Sequence, residues 1–249
     1  MPFLTRWEED QSRPTFGSAL KDLAVRAVLP AFLVFGIIVA FGYTLKGPLY
    51  ELSEWENNPS RWFQDGRTET GETITLFMSS IGNTEYVIGV CLLVSAVIWW
   101  RTRQWWYAVI PGIAISLQAT IFVSAAHVVG RDRPNVERLD PTPPTSSYPS
   151  GHVGASTALY TTFALMAATR IRNTVVRRLV IGLCVLAWLS VAYARLYRGA
   201  HHTTDILFGV FNGLACALLA WNYLRRSSDG APDGVRGAER ADESAQTRA

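Results

Sequence analysis

Residues 180–224 read VIGLCVLAWLSVAYARLYRGAHHTTDILFGVFNGLACALLAWNYL, which is two apolar runs joined by a short polar segment. The polar segment holds Arg195, His201 and Asp205. Each run approaches the roughly 20 apolar residues that an α-helix needs to cross a bilayer. A guanidinium, an imidazole and a carboxylate are therefore expected at a membrane surface, where ionisable groups are costly and mark functional sites.

The rest of the chain repeats this alternation of apolar runs and polar segments. Hydrophobic residues make up 49% of the chain and charged residues 17%, a composition typical of a membrane protein. Six runs are close to the length of a span, at 27–45, 86–100, 105–128, 152–168, 180–197 and 206–224. The second is short, so either it extends back towards Ile74 as a longer tilted helix or a short helix precedes it. We predict an all-α polytopic membrane protein, a bundle of six transmembrane helices.

The cationic residues outside the polar motifs indicate the orientation of these spans. They lie before the first run, between the second and third, between the fourth and fifth, and after the sixth. Because Lys and Arg favour cytoplasmic loops, both termini are predicted to be cytoplasmic. The expected organisation is a cytoplasmic segment at 1–26 without a cleaved signal peptide, a membrane domain at 27–226, and a disordered cytoplasmic tail at 227–249. The loops at 46–83, 129–151 and 198–205 then face outwards.

A second polar cluster lies in the loop between the third and fourth runs. It begins with Arg131-Asp132-Arg133-Pro134 and ends with Tyr148-Pro149-Ser150-Gly151-His152. Arginines in an outward-facing loop oppose the usual charge bias, which indicates that they are retained to bind an anion. If the fourth run is helical, Ser150 and Gly151 lie at its N-terminus, where backbone N–H groups and the helix dipole favour phosphate.

Together these segments resemble the type 2 phosphatidic acid phosphatase family, whose motifs run Lys-x6-Arg-Pro, Pro-Ser-Gly-His and Ser-Arg-x5-His-x3-Asp. The second motif is complete at 149–152, and the third matches at Arg195, His201 and Asp205, with Ala194 in place of Ser. In the first motif Arg133-Pro134 fits, but Ala126 stands where the family has Lys. The neighbouring His127 replaces that Lys only if the helix has ended before it; Lys46 is a second, speculative replacement.

The resemblance implies that His201 is the nucleophile, Asp205 its orienting partner, and His152 the general acid. On a helix, residues i and i+4 lie one turn apart, so Asp205 is expected to hydrogen-bond His201 and fix its tautomer. Arg133, Arg195, Ser150 and Gly151 are the expected phosphate-binding residues. Auxiliary candidates are His127, Arg131 and Arg198, and for the two arginines interfacial anchoring is as good an interpretation as phosphate contact. Asp205 and Ser150 could also simply cap their helices.

The loops that bear the motifs carry no cluster of Asp and Glu at divalent-metal spacing, so neither a metal nor a cofactor is expected. Three cysteines, Cys91, Cys184 and Cys216, fall inside apolar runs at no metal-ligand spacing and are expected to pack there. His202, next to His201, is interpreted as a packing residue.

The function implied is an integral phosphatase of the cell membrane whose active site faces the extracytoplasmic side. Candidate substrates are a polyprenyl diphosphate, phosphatidic acid, phosphatidylglycerol phosphate and a polyprenyl-linked sugar phosphate. Two alternatives stay open: a protein that only binds or flips a lipid phosphate, and a phosphotransferase with an acceptor other than water. The bilayer and a lipid phosphate are the expected partners, with no nucleic acid. The sequence indicates no oligomeric state.

Overall fold

The computed structural model describes residues 13–141 and 146–224, and this part of the chain folds into nine helices without a strand. The predicted all-α class is therefore confirmed. Three of the helices are short and lie between the first and second long ones: α2 (Tyr50–Trp55), α3 (Asn57–Asp65) and α4 (Glu69–Ser80). The six long helices are α1 (Phe16–Lys46), α5 (Thr84–Thr102), α6 (Trp105–Val129), α7 (Gly151–Arg170), α8 (Thr174–Tyr197) and α9 (Thr203–Asn222).

Helix α1 begins well before the predicted span and contains a π-helical turn at Ala24–Val28. Pro30 follows this turn, and a proline has no N–H to donate to the carbonyl four residues earlier. That carbonyl, on Arg26, instead accepts a hydrogen bond of 3.1 Å from Asn222 Nδ2. The helix thus stays continuous across the proline and is tied to the end of α9.

Helix α7 lies at the centre of the bundle and packs against α5, α6, α8 and α9. Its contact with α9 is close because both helices carry glycine there. A Cβ atom on Gly213 would lie 2.5 Å from Thr157 Cβ, and one on Gly209 would lie 2.8 Å from the carbonyl oxygen of Ser150. Small residues permit this approach between helix backbones. The approach fixes the start of α7, where the second motif lies, against the start of α9.

Five of the long helices have the length and hydropathy of a membrane span, namely α1, α5, α6, α8 and α9. Their outward faces expose large apolar side chains, including Phe32, Leu92 and Leu186, as expected for contact with lipid. Helix α7 has the length of a span but not the hydropathy. Its polar side chains are tolerated because protein surrounds the helix. Two of its buried hydroxyls bond its own backbone: Thr162 Oγ1 donates to the Ala158 carbonyl at 2.7 Å, and Ser156 Oγ donates to the His152 carbonyl at 2.9 Å. Six spans, and cytoplasmic termini, remain predictions.

The segment before α5 decides between the two alternatives for the second run. A separate helix, α4, ends at Ser80, and α5 begins at Thr84. The short preceding helix is therefore correct, and the single long tilted helix is wrong. With α2 and α3, α4 packs over the end of the bundle where the three motifs lie. The predicted tail and residues 1–12 of the predicted N-terminal segment lie outside the described residues.

Candidate active site

The second and third motifs are joined by backbone contacts at one end of the bundle. Ser150 N–H donates to the carbonyl of Asp205 at 2.9 Å. His201 Nδ1 lies 2.8 Å from the carbonyl oxygen of Ser147. Since a carbonyl only accepts, Nδ1 carries the proton and Nε2 is the nitrogen with a free lone pair. The loop before α7 thus sets the tautomer of the predicted nucleophile.

Asp205 is fully buried and is shared among several donors. Its carboxylate accepts hydrogen bonds from Arg131 Nη1 at 2.6 Å, from the His202 backbone N–H at 2.8 Å and from Ser147 Oγ. His202 is the N-cap residue of α9, and Asp205 completes a capping box, so the predicted capping role is present.

The expected helical pairing of His201 with Asp205 is wrong in its geometry. Helix α9 begins at Thr203, so His201 precedes the helix and the two side chains are not stacked one turn apart. Their closest approach, from Nδ1 to Oδ2, is 3.9 Å, which is too long for a hydrogen bond. Asp205 acts on His201 indirectly, because the Ser147 that contacts the imidazole through its carbonyl also donates its hydroxyl to Asp205.

Arg131 connects Asp205 to a residue that sequence reasoning missed. Its Nη2 contacts Glu56 Oε2 at 2.8 Å, and its Nη1 also donates to Thr204 Oγ1 at 2.7 Å. Glu56, 2% exposed, further accepts from the Thr204 backbone N–H at 2.6 Å. Both terminal nitrogens of Arg131 are therefore occupied by protein. Arg131 is 5% exposed and lies in a buried ion-pair network, so the geometry favours a structural role over either predicted interpretation, interfacial anchoring or phosphate contact.

Arg133 and Arg195 are used differently. Arg133 donates from Nη1 to the Ala200 carbonyl at 2.7 Å, and it forms no ion pair within the described ranges. Arg195 donates from Nη1 to Asp140 Oδ2 at 2.7 Å and to Ser79 Oγ at 3.0 Å. In both residues Nε is buried without a hydrogen-bond partner in the part of the chain that the structure describes. The Nε and Nη2 edge, which binds oxyanions bidentately, is therefore open in both.

Ser150 Oγ and Arg131 Nε are also buried without a hydrogen-bond partner in the described part of the chain. Ser150 is the N-cap of α7, but its side chain makes no capping bond, so the alternative of a simple side-chain cap is wrong. Gly151 begins the helix beneath the ring of Phe122, and a Cβ atom there would lie 2.7 Å from Phe122 Cζ. Unsatisfied buried donors are rare in folded proteins, and these donors are available to bind an oxyanion or an ordered water.

The charges around His201 hold it neutral. Burial, and then the positive charge of Arg195, lowers the pKa of His201 well below its ordinary value. Burial likewise lowers the pKa of Arg133, but not enough to discharge a guanidinium. The site therefore presents two cations and a neutral imidazole, a combination that favours an incoming anion and a nitrogen nucleophile.

His152 lies at the start of α7 and is held by a second residue that the sequence did not indicate. Its Nε2 is 3.1 Å from Oδ1 of Asn83, the N-cap residue of α5. Asn83 makes no side-chain capping bond to its own helix, so its amide is used for the histidine. The signals for Asn83, Glu56 and Asp140 were absent from the sequence because all three are brought in from outside the motifs.

The remaining auxiliary candidates lie apart from the open edges. Arg198 donates to both oxygens of Asp140, and to the Glu72 carbonyl at 3.0 Å. His127 is exposed on α6, which continues to Val129, so the condition for His127 to replace the family lysine is not met. Lys46 Nζ donates to the Val129 carbonyl at 2.7 Å and thereby caps the end of α6. No group of His, Cys, Asp and Glu suited to a metal ion occurs within the described residues.

Comparison with known proteins agrees with this arrangement. A sequence model of the PAP2 superfamily matches residues 106–229, which include all three motifs. The chain belongs to the PAP2 superfamily, and the predicted resemblance to type 2 phosphatidic acid phosphatases is confirmed. Its fold is similar to the crystal structure of a transmembrane PAP2-type phosphatidylglycerolphosphate phosphatase from Bacillus subtilis, with a TM-score of 0.67 and 18% identity over 77% of this chain and 92% of that one. No curated protein matches the chain. Family and fold together support a membrane lipid phosphatase.

Proposed function

We propose that this protein hydrolyses a lipid phosphate or diphosphate at the extracytoplasmic surface of the cell membrane, through a phosphohistidine intermediate. The observation that carries the proposal is that Arg133 Nε, Arg195 Nε and Ser150 Oγ have no hydrogen-bond partner among the described residues, in a site where the Nδ1 proton leaves Nε2 of His201 with a lone pair. Two guanidinium edges, a hydroxyl and the N-terminal amides of α7 would bind the three equatorial oxygens of a phosphoryl group.

The reaction then takes two displacements. His201 Nε2 attacks phosphorus and the bond to the leaving oxygen breaks, while His152 donates a proton to that oxygen. Water next attacks the phosphorus atom, His152 accepts the proton of that water, and the phosphorus–nitrogen bond breaks to release phosphate. Ser147 keeps the His201 proton on Nδ1 during attack. Asp205, through Ser147, stabilises the loop that holds the ring. No metal ion takes part in this scheme.

A lipid substrate is supported by a groove between α1, α5 and α6. It has a volume of about 970 Å³ and is lined almost wholly by apolar side chains, such as Phe35, Trp99 and Leu117. On α6 the lining extends to Ser124, two residues past the Phe122 whose ring covers Gly151. We assign the groove to the hydrocarbon chain of the substrate, because its lining is apolar and lies on three helices whose outward faces expose apolar side chains.

The test is phosphate release by purified protein in detergent, across a panel of lipid phosphates, polyprenyl diphosphates and soluble phosphoesters, with excess chelator present. Release from a lipid and its loss in His201→Ala would support the proposal. A phosphotransferase would release phosphate only slowly and accelerate with an added alcohol. Binding of lipid phosphate without turnover would indicate the binding or flipping alternative. Activity that disappears in chelator and returns with Mg²⁺ would contradict the metal-free scheme.

A further inference from the structure

Asp140 lies between the two arginines that end α8. Its carboxylate contacts Arg195 Nη1 at 2.7 Å and Arg198 Nη2 at 2.6 Å. The Asp140 side chain is 17% exposed, whereas those of both arginines are almost fully buried. Burial opposes its ionisation, but the hydrogen bond from Arg198 and the charges of both arginines prevail and hold the pKa of Asp140 below its ordinary value. Asp140 is therefore an anion within a site that we assign to an anion.

The two arginines divide this carboxylate unequally. Arg198 uses Nε and Nη2 and reaches both oxygens, at distances of 2.6 to 2.9 Å. Its Nη1 is fixed on α4 by the Glu72 carbonyl and by Thr75 Oγ1. Arg195 gives Asp140 only Nη1. Arg198 thus contacts Asp140 through two nitrogens and Arg195 through one, which leaves the Nε and Nη2 edge of Arg195 for a ligand.

The geometry of a guanidinium makes this contact directional. Nη1 lies on the side opposite the Nε and Nη2 edge, so an acceptor on Nη1 turns that edge the other way. In Arg195 two acceptors, Asp140 and Ser79, converge on Nη1, while Nε is buried and unpartnered among the described residues. We infer that Asp140 is a positioning residue that aims the open edge of Arg195 at the phosphate; the inference rests on the proposed function.

The opposite role would be competition, with Asp140 occupying Arg195 until phosphate displaces it. Competition requires Asp140 and the ligand to use the same nitrogens. Asp140 uses Nη1, and the open edge lies elsewhere, so both can bind Arg195 at once. The two roles therefore predict opposite changes when Asp140 loses its charge: positioning predicts weaker anion binding, and competition predicts tighter binding.

Orthovanadate binding tests the inference without relying on turnover. The dissociation constant is taken from the thermal stabilisation of detergent-purified wild type, Asp140→Asn, Ser79→Ala and the control Asp132→Asn. Asp132 is an exposed carboxylate in the same loop, so its variant should bind vanadate like the wild type. We expect Asp140→Asn to weaken vanadate about tenfold, the usual scale for a hydrogen bond involving charge, and Ser79→Ala to weaken it less.

Kinetics supply a second measurement. Asp140→Asn should raise the KM for the best lipid phosphate and the inhibition constant of inorganic phosphate together. Unchanged vanadate affinity in folded Asp140→Asn, or in Asp140→Ser if the first variant does not fold, would reduce Asp140 to a structural role. Tighter vanadate binding would show competition instead. If vanadate behaves as expected while wild type releases phosphate from no lipid, the proposed reaction fails and the positioning role stands.

Discussion

Arg131 and Arg133 are two residues apart, yet they belong to regions of opposite character. Arg131 lies in a closed network, where Glu56 and Asp205 occupy both of its terminal nitrogens. Arg133 lies on an open face, where the Ala200 carbonyl occupies Nη1 and no described residue accepts a hydrogen bond from Nη2. Nε has no partner among the described residues in either arginine, so the difference lies in the terminal nitrogens. The difference indicates that a cation beside a motif can bind a ligand only through nitrogens that the fold leaves without protein acceptors. Arginines whose terminal nitrogens are all paired with protein are expected to govern the free energy of unfolding. Arginines with an unpaired terminal nitrogen are expected to govern the affinity for phosphate.

The largest expected effect is at His201, which lies between the two regions. His201→Ala should lower kcat by about 10⁴-fold or more, since no neighbouring group can replace an in-line nucleophile. Its unfolding temperature should stay near that of the wild type. The matched control is His202→Asn, which keeps a capping side chain at the start of α9 and should retain most activity. Turnover by His201→Ala at the wild-type rate would eliminate the phosphohistidine scheme.

The next prediction separates the two arginines. Arg133→Met should raise KM and the inhibition constant of phosphate about tenfold or more, with little change in unfolding, because it removes an open charge. Arg131→Met should instead cost about 3–5 kcal/mol of stability, because Glu56 and Asp205 would keep buried charges without their partner. Adding Glu56→Gln to Arg131→Met should restore part of that loss. Denaturant unfolding and steady-state kinetics on all variants would measure both effects; identical behaviour of the two arginines would refute the comparison.

The same contrast explains what the sequence could and could not predict. The apolar runs, the three motifs and the residues that we propose to bind phosphate follow from local pattern, because hydropathy and motif spacing are local properties. The partners of those residues do not. Glu56, Asn83 and Asp140 come from loops and helix ends with no motif of their own, and only the packed fold brings them to Arg131, His152 and Arg195. The Asp205 pairing failed for a related reason: the sequence did not show that α9 begins after His201.

A third prediction concerns the apolar groove between α1, α5 and α6, which we assign to the hydrocarbon chain of the substrate. Gly112 lines the groove, and a Cβ atom there would meet nothing within 4 Å. Gly112→Phe should therefore fill the groove and lower kcat/KM for a long-chain lipid phosphate by about tenfold, as expected when apolar contact with a chain is lost. Hydrolysis of a short-chain phosphate should be nearly unchanged. Gly182→Phe, at an equally open position on α8 outside the groove, is the control. Equal losses of kcat/KM on both substrates would mean that the hydrocarbon chain of the substrate binds outside the groove.

A smaller effect is expected at Ala126, where the family has Lys. Ala126 is 8% exposed near the end of α6, so a longer side chain has little room. Ala126→Lys should tighten phosphate binding only about threefold, within the net worth of one hydrogen bond. His127→Ala should change nothing, and Lys46→Ala should loosen the end of α6 without affecting KM, since Lys46 caps carbonyls there. A large loss of affinity in either alanine variant would show that it supplies the missing cation.

The smallest expected effect is the change of kcat in mild acid. It tests whether the positive charges of Arg133 and Arg195 act on His201. The nucleophile must be neutral, and burial, together with the charge of Arg195, lowers the pKa of His201 below its ordinary value of 6.5. The pH at which the imidazole becomes protonated is therefore also below 6.5, and the acid limb of kcat shifts in that direction. Between about pH 7.5 and about pH 6 kcat should change less than about twofold at saturating substrate.

In Arg133→Met, which removes a second positive charge acting on His201, the acid limb of kcat should move to higher pH. The unpaired cation would then be shown to act on the nucleophile as well as the substrate. The contrary result is an acid limb at the ordinary pKa of histidine in the wild type and no shift in Arg133→Met. It would mean that another group compensates the charge on Arg133, so that this charge does not act on His201.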